Sequence, residues 1–138
     1  MTKTRVNPKV WCEQEILNPE NKREVIGKIM LVSYLTKTSP HLEFFIKDEF
    51  EHLKNQGIMS ARVVKYLKFC KKWGHNKLLA TVKKNNAASI KILEKNNFIR
   101  MMEVRDNYCY MVDLTFTKEK YRILQELVDK EFNRKKNE

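Results

Sequence analysis

Where an extended stretch gives way to a helix, the chain reads Lys54-Asn55-Gln56-Gly57-Ile58-Met59-Ser60. Such a junction presents the first backbone N–H groups of the helix, which have no acceptor inside it. The helix dipole adds roughly half a positive charge at the same point. Together these features suit an anion, a phosphate above all. Gly57 lets the main chain approach a ligand with no side chain between them, and Lys54 adds a point charge nearby. One glycine ahead of a helix is, by itself, more often a plain turn, so the surrounding sequence has to decide.

Other side chains that could do chemistry are sparse. Cys12, Cys70 and Cys109 are too few and too scattered for a zinc site or a disulfide framework, so no metal is expected. They read as small apolar residues. His41 and His52 flank an extended segment and read as surface residues. Tyr108 and Tyr110 are two apart on a strand and so share one sheet face. The net charge is +11, from 28 Lys and Arg against 17 Asp and Glu. Such a field draws polyanions. Nucleic acid, ribosome and a phosphate-rich cofactor all fit it, and charge alone does not choose; a solvated Lys-rich surface is the plainer reading.

The elements that must position these residues follow from pattern. The chain has 138 residues, enough for one domain and one core. Lys9 to Leu17 and Glu24 to Leu35 read as strands, separated by a turn at Asn18-Pro19-Glu20-Asn21. His41 to Phe50 is a third extended segment. From Ile58 to Trp73 the apolar residues fall at helical spacing, with Val63, Val64, Leu67 and Cys70 inward and Tyr66, Phe69 and Trp73 on the flank. Gly74 suits a left-handed cap. Lys77 to Lys83 is a strand and Asn86 to Asn96 a helix, with Asn97 at the left-handed position beyond it. Ile99 to Glu103 and Tyr108 to Phe116 form a hairpin. Lys118 to Phe132 is an amphipathic helix with Tyr121, Leu124, Leu127, Val128 and Phe132 on one side, followed by a charged tail expected to fray. The order β-β-β-α-β-α-β-β-α makes an α/β (α+β) fold. Its strand–helix–strand unit requires a parallel pair within an otherwise antiparallel, mixed sheet.

Two blocks carry a family resemblance. Asn55-Gln56-Gly57-Ile58-Met59-Ser60-Ala61 resembles the pyrophosphate loop, Gln/Arg-x-x-Gly-x-Gly/Ala, of the GNAT N-acetyltransferase superfamily. Asn85-Asn86-Ala87-Ala88-Ser89-Ile90-Lys91-Ile92-Leu93-Glu94-Lys95-Asn96-Asn97-Phe98 resembles that family's Asn-x-x-Ser-Ile-x-x-x-Glu-Lys-x-Gly-Phe block. The two stand one helix plus one strand apart, as the family has them. Val25-Ile26-Gly27-Lys28-Ile29 is a weaker third match. The likeness runs from Glu24 to Leu114 and is nearest to the Rim-type, ribosomal-protein N-terminal branch. It implies one GNAT-like domain over 1–138, with its core at 9–116 and an added C-terminal helix at 118–132. Departures are Lys54 for Gln or Arg, Met59 for Gly or Ala, and Asn97 for the helix-ending Gly. Only eight residues precede Lys9, where the family has a strand and two helices.

The resemblance also implies roles. The amides of Gln56, Gly57, Ile58, Met59 and Ser60 would hold the pyrophosphate of acetyl-CoA, with Lys54 beside them. The strands Phe45-Ile46-Lys47 and Ala80-Thr81-Val82 would splay around the pantetheine arm. Asn86 and Ser89 would contact the cofactor near the second helix. Acetyl transfer to an amine needs a base to take the amine proton and a donor for the developing oxyanion. Glu43 is the leading base, with Asp48, Glu49 and Glu51 in reserve. Tyr108 or Tyr110 would supply a hydroxyl, because Leu93 stands where many relatives carry a tyrosine acid. The acceptor would be a primary amine on a protein N-terminus, a lysine or a small molecule. The alternative is a catalytically inactive module that keeps CoA or binds RNA through its basic surface; nucleic acid ranks behind the cofactor as a partner. The C-terminal helix would cover the open sheet face or pair in a homodimer. With no apolar leader and no membrane-length apolar run, the expected setting is cytoplasmic, away from membranes.

Overall fold

The computed structural model describes residues 9–34 and 39–136. Six strands form one sheet: β1 (Lys9–Asn18), β2 (Asn21–Ser33), β3 (His41–Ile46), β4 (Lys77–Lys83), β5 (Ile99–Val104) and β6 (Asn107–Asp113). Three helices accompany them: α1 (Ile58–Lys72), α2 (Ala87–Lys95) and α3 (Lys118–Lys136). The strands lie in the order β1-β2-β3-β4-β6-β5. Only β3 and β4 are parallel; the other four pairings are antiparallel. The mixed sheet expected from the element order is therefore present.

Local chemistry accounts for the boundaries. Asn86 caps α2, its side chain accepting the Ser89 N–H at 3.2 Å, a bond worth about 1 kcal/mol. Asn97 follows α2 at φ 67°, the left-handed conformation in which asparagine is tolerated. The third extended segment is shorter than expected. It ends at Ile46, and Asp48–Leu53 forms a short 3₁₀ turn instead of continuing the strand. Leu35 falls outside the described residues. The last helix does not fray at Asn133; it runs on to Lys136.

One core cluster joins the sheet to the helices. The inward face of α1 is Met59, Val63, Tyr66, Leu67 and Cys70, spaced four, three, one and three as a helix stripe requires. Val64 lies off that stripe and is 38% exposed, while Tyr66, expected on the flank, is buried. The Tyr66 hydroxyl donates to the Cys12 carbonyl at 2.6 Å, which satisfies it inside the core. Burial pushes the Cys70 thiol up to about 12, so it packs as an apolar group. On α3, Tyr121 is buried and donates to the Asp113 carbonyl, and Leu124 and Val128 pack against the core. Leu127, expected on the same side, is 58% exposed. The helix thus packs through Tyr121, Leu124 and Val128 on the core of its own chain and lies against β5.

Alternation sorts the site residues between two faces. Leu42, Phe44 and Ile46 point to the core side, with Leu42 buried and the other two half-buried. His41, Glu43 and Phe45 point to the opposite side. Bulges interrupt both edge strands, β1 between Trp11 and Gln14 and β5 between Arg100 and Met102.

Gly27 sits opposite Ile46 where β2 meets the end of β3. A Cβ there would lie 2.1 Å from the Phe45 carbonyl oxygen, a backbone atom that cannot swing aside. Gly27→Ala is therefore expected to cost about 1–3 kcal/mol through overpacking. Urea unfolding would read this as a lower midpoint at unchanged m, and an unchanged midpoint would refute the close approach.

Candidate functional site

The parallel pair β3–β4 holds together at one point. His41 and Leu79 are the single registered partners, joined by the Leu79 N–H donating to the Pro40 carbonyl at 2.9 Å. Beyond that point the strands part. β3 bonds to β2 on its outer side and β4 to β6 on its outer side, so their facing edges carry amides and carbonyls with no ladder partner. Between them opens a cleft of about 540 Å³, lined by Met30, Leu42, Glu43, Phe44 and Phe45 on one side and Ala80 to Lys83, Asn86, Ser89 and Leu93 on the other. Its lining mixes apolar side chains (Met30, Leu42, Phe44, Val82, Leu93) with polar ones (Glu43, Thr81, Lys83, Asn86, Ser89).

The N-terminus of α1 follows β3 after the 3₁₀ turn. Gly57 is the cap residue at φ 78°, a left-handed conformation that favours glycine, and a Cβ there would meet nothing within 4 Å. The first helical bond runs from the Ala61 N–H to the Gly57 carbonyl at 3.0 Å. The N–H groups of Ile58, Met59 and Ser60 thus precede the helical ladder. No side chain caps this end and no acidic residue stands in its first turn, which leaves the positive end of the dipole open to an anion. The Gln56 side chain donates back to the His52 carbonyl at 3.1 Å and fixes the loop from the other side.

A small cluster occupies the face on which Glu43 stands. The Tyr34 hydroxyl donates to Glu43 Oε1 at 2.8 Å. The Tyr34 ring meets His41 edge-on, with centroids 5.1 Å apart. The bond to Glu43 holds the Tyr34 phenol above its ordinary value of 10.0, so it stays protonated and keeps donating. Burial pulls His41 below 6.5, with the Glu43 carboxylate opposing the shift, and its Nδ1 is buried without a hydrogen-bond partner. Sequence reasoning missed Tyr34. The signal was parity across the β2–β3 pair: Val32 opposes His41 and Met30 opposes Glu43, so the even residues of β2 share the Glu43 face.

Of the residues singled out in the sequence, Glu43, Phe45, Asn86 and Ser89 line the cleft. Gln56, Gly57, Ile58, Met59 and Ser60 gather at the start of α1, with Lys54 just ahead. Ile46 and Lys47 are not among the lining residues; the Lys47 N–H donates to the Ile26 carbonyl at 2.8 Å. Tyr108 and Tyr110 do share a face, their rings 6.5 Å apart. They lie outside the cleft lining, beneath Arg100, whose guanidinium is 3.7 Å from the Tyr108 ring centre. The Tyr110 hydroxyl donates to Glu94 at 2.6 Å, and burial together with that bond pushes it up to about 12. Asp48, Glu49 and Glu51 are exposed on the 3₁₀ turn. Among the described residues no three His, Cys, Asp or Glu side chains converge as metal ligands. No helix there is long and apolar enough to cross a membrane.

The site thus combines one diverging parallel pair, the cleft between those strands and, ahead of α1, an open helix N-terminus. The family model described as "Acetyltransferase (GNAT) domain" matches residues 4–99. The chain belongs to the GNAT acetyltransferase domain family. No curated protein matches it. Among solved structures, a domain from Methanocaldococcus jannaschii is 27% identical with a TM-score of 0.56, covering 65% of this chain and 57% of that one. A GNAT-family acetyltransferase from Bacillus anthracis is 20% identical with a TM-score of 0.58, covering 73% of this chain and 64% of that one. The RimL ribosomal alpha-N-protein acetyltransferase, in its apo form, is 15% identical with a TM-score of 0.54, covering 68% and 65%. The chain thus spans less than two thirds of the length of each of these structures. The Rim-type protein is one of several distant neighbours, so no branch within the family is singled out.

His41 makes the site sensitive to acid. Between its lowered value and 6.5, the unfolded chain binds a proton that the folded chain does not, so stability falls as pH drops through that window. His41→Gln should flatten this part of a stability–pH curve measured by urea midpoints. An unchanged slope would show that His41 titrates as an ordinary exposed histidine.

Proposed function

We propose that the protein transfers the acetyl group of acetyl-CoA to a primary amine on a protein N-terminus, a lysine or a small molecule. The observation that carries this is the cleft between β3 and β4, whose facing backbone edges lack ladder partners. An arm bearing amides, such as pantetheine, can satisfy those edges where a plain apolar ligand cannot. The residues also fit the other end of the molecule. The N–H groups of Ile58, Met59 and Ser60 and the open dipole of α1 suit a pyrophosphate, and Lys54 adds positive charge just ahead of them.

Acetyl-CoA supplies an activated thioester; the chain supplies position and proton handling. The amine must be neutral to attack, and Glu43 at the cleft rim accepts its proton. Tyr34 holds one carboxylate oxygen of Glu43, which fixes its direction and leaves the second oxygen for the acceptor. Asn86 and Ser89 orient the carrier at the α2 side of the cleft. Tyr108 remains a candidate hydroxyl donor from β6, reached only if the acceptor or carrier extends past the cleft lining. The three cysteines are all free thiols, which accords with a reducing, cytoplasmic setting.

Acetyl-CoA at a hundred times its dissociation constant should stabilise the fold by about 2.7 kcal/mol, seen as an upward shift in a thermal melt. Ser60→Glu places a carboxylate in the first turn of α1, which favours the helix but repels a phosphate. It should abolish the shift while leaving the ligand-free melt intact. Glu43→Gln should keep the shift yet lower the rate of thiol release with an amine acceptor about 10²–10⁴-fold. Absence of a shift at millimolar acetyl-CoA would remove the cofactor reading; full turnover in Glu43→Gln would remove only the assigned base.

A further inference from the structure

The positive charge of this protein is not spread evenly. Residues 52–93 hold ten Lys and Arg and no Asp or Glu, while the other 96 residues hold 18 against 17. Nearly the whole excess therefore belongs to α1, β4 and the start of α2. Lys83 lines the cleft and Lys54 stands just ahead of α1, while Lys84 pairs with Glu103 at 3.0 Å. Lys65, Lys68, Lys71 and Lys72 do not. At 1.5 Å per residue they begin about 10 Å along the helix from Ile58 and end about 21 Å from it. All four are exposed, at spacings of three and four that place them on one outward stripe. Among the described residues none of the four forms an ion pair.

Both tryptophans of the chain surface at the far end of this stripe. Trp73, the residue after α1, is 68% exposed, and Trp11 on β1 is 41% exposed. Trp73 touches Phe69, with ring centres 5.9 Å apart, and Trp11 meets His75 at 6.2 Å. Tryptophan is among the most buried residue types on average, and a core lies directly beneath this helix. An indole as exposed as Trp73, at the end of a helix that carries four exposed lysines, offers a ring face and an N–H donor to a ligand.

We infer that this end of α1 binds single-stranded nucleic acid, with the Trp73 ring stacking on a base and Lys65, Lys68, Lys71 and Lys72 following the phosphates. Charge alone admits any polyanion; the exposed rings select one with unstacked aromatic bases. A duplex keeps its bases stacked, and an anionic membrane would call for more apolar side chains on the stripe than Val64. RNA and single-stranded DNA share the chemistry and differ by the 2′-hydroxyl. The inference is independent of acetyl transfer.

The test uses the intrinsic fluorescence of the protein, because both tryptophans sit in the surface. The full chain is titrated with an oligouridine, and with its thymidine counterpart, each about a dozen nucleotides long, so that one site size is covered. Saturable quenching is expected, with log K falling against log salt at a slope of about −3, as four phosphate contacts on a single strand require. The Lys68→Ala, Lys72→Ala double variant should roughly halve that slope. Trp73→Ala should weaken binding about 5- to 150-fold at an unchanged slope. Tighter binding of the RNA strand assigns RNA, and tighter binding of the thymidine strand assigns DNA. Binding should persist in saturating acetyl-CoA, and it should survive in Glu43→Gln whether or not that variant transfers acetyl groups. The inference is overturned by absence of quenching at about 50 mM salt, where such contacts are strongest, or by displacement with acetyl-CoA. It is equally overturned by a slope indifferent to the lysine substitutions, or by phosphatidylserine vesicles or polyglutamate competing as well as the oligonucleotide. Melting midpoints of the variants, all at exposed positions, should match the parent and so exclude unfolding as the cause of any loss.

Discussion

Two parallel strands that meet at His41 and Leu79 and then diverge set a condition that the rest of the molecule must satisfy. Unpaired backbone inside a protein is costly, at about 1–3 kcal/mol for each group left without a partner. The cleft can stay open only because other pairings hold its walls. Six registered pairs tie β3 to β2, and seven tie β4 to β6. Gly27 lets β2 come close under the end of β3, and the Lys47 N–H pins the chain as it leaves the strand. α1 then starts where the 3₁₀ turn delivers it, with the amides of its first turn ahead of the helical ladder.

The divergence also explains why polar and apolar residues divide as they do. Residues of β3 that point to the core side, Leu42, Phe44 and Ile46, anchor the strand by packing. Those on the other side, His41, Glu43 and Phe45, are released from that duty, and the Tyr34–Glu43–His41 cluster forms among them. A carboxylate held by a phenol on a strand is better directed than one on the mobile side chain of a loop, because the sheet fixes both backbones. Asp48, Glu49 and Glu51, exposed on the 3₁₀ turn, have no such phenol partner among the described residues.

Much of this was legible in the chain and some was not. Strand β4 and the start of α1 could be read to the residue, because Gly57, Gly74 and the pattern KLLATVK punctuate strongly. Asn86 and Asn97 marked both ends of α2 by capping chemistry. The end of β3 was misplaced because His41 to Phe50 is apolar enough to look extended throughout; Asp48 and Glu49 stop it by starting a tight turn. Val64 and Tyr66 exchanged places because an aromatic with a buried hydroxyl needs an acceptor, and the Cys12 carbonyl that serves it is 54 residues away. The Tyr34–Glu43 bond was invisible for a similar reason, since it depends on the register across β2 and β3. That Gln56 to Ser60 stand at the start of α1 followed from local pattern, whereas which of Phe45, Ile46 and Lys47 faces the cleft required knowing where β3 ends.

The interruptions in the two outer strands have a bearing on how the protein behaves in a crowded solution. An open six-stranded sheet has two exposed borders, each a row of amides on which a foreign strand could template itself. Here Cys12, at φ 52°, breaks the β1 border between Trp11 and Gln14, and the extra residue at Met101 breaks the β5 border. Neither border then offers a straight run long enough for sheet-to-sheet extension. A polypeptide with apolar Met101, Met102 and Val104 on an outer strand is thereby kept from polymerising through its backbone.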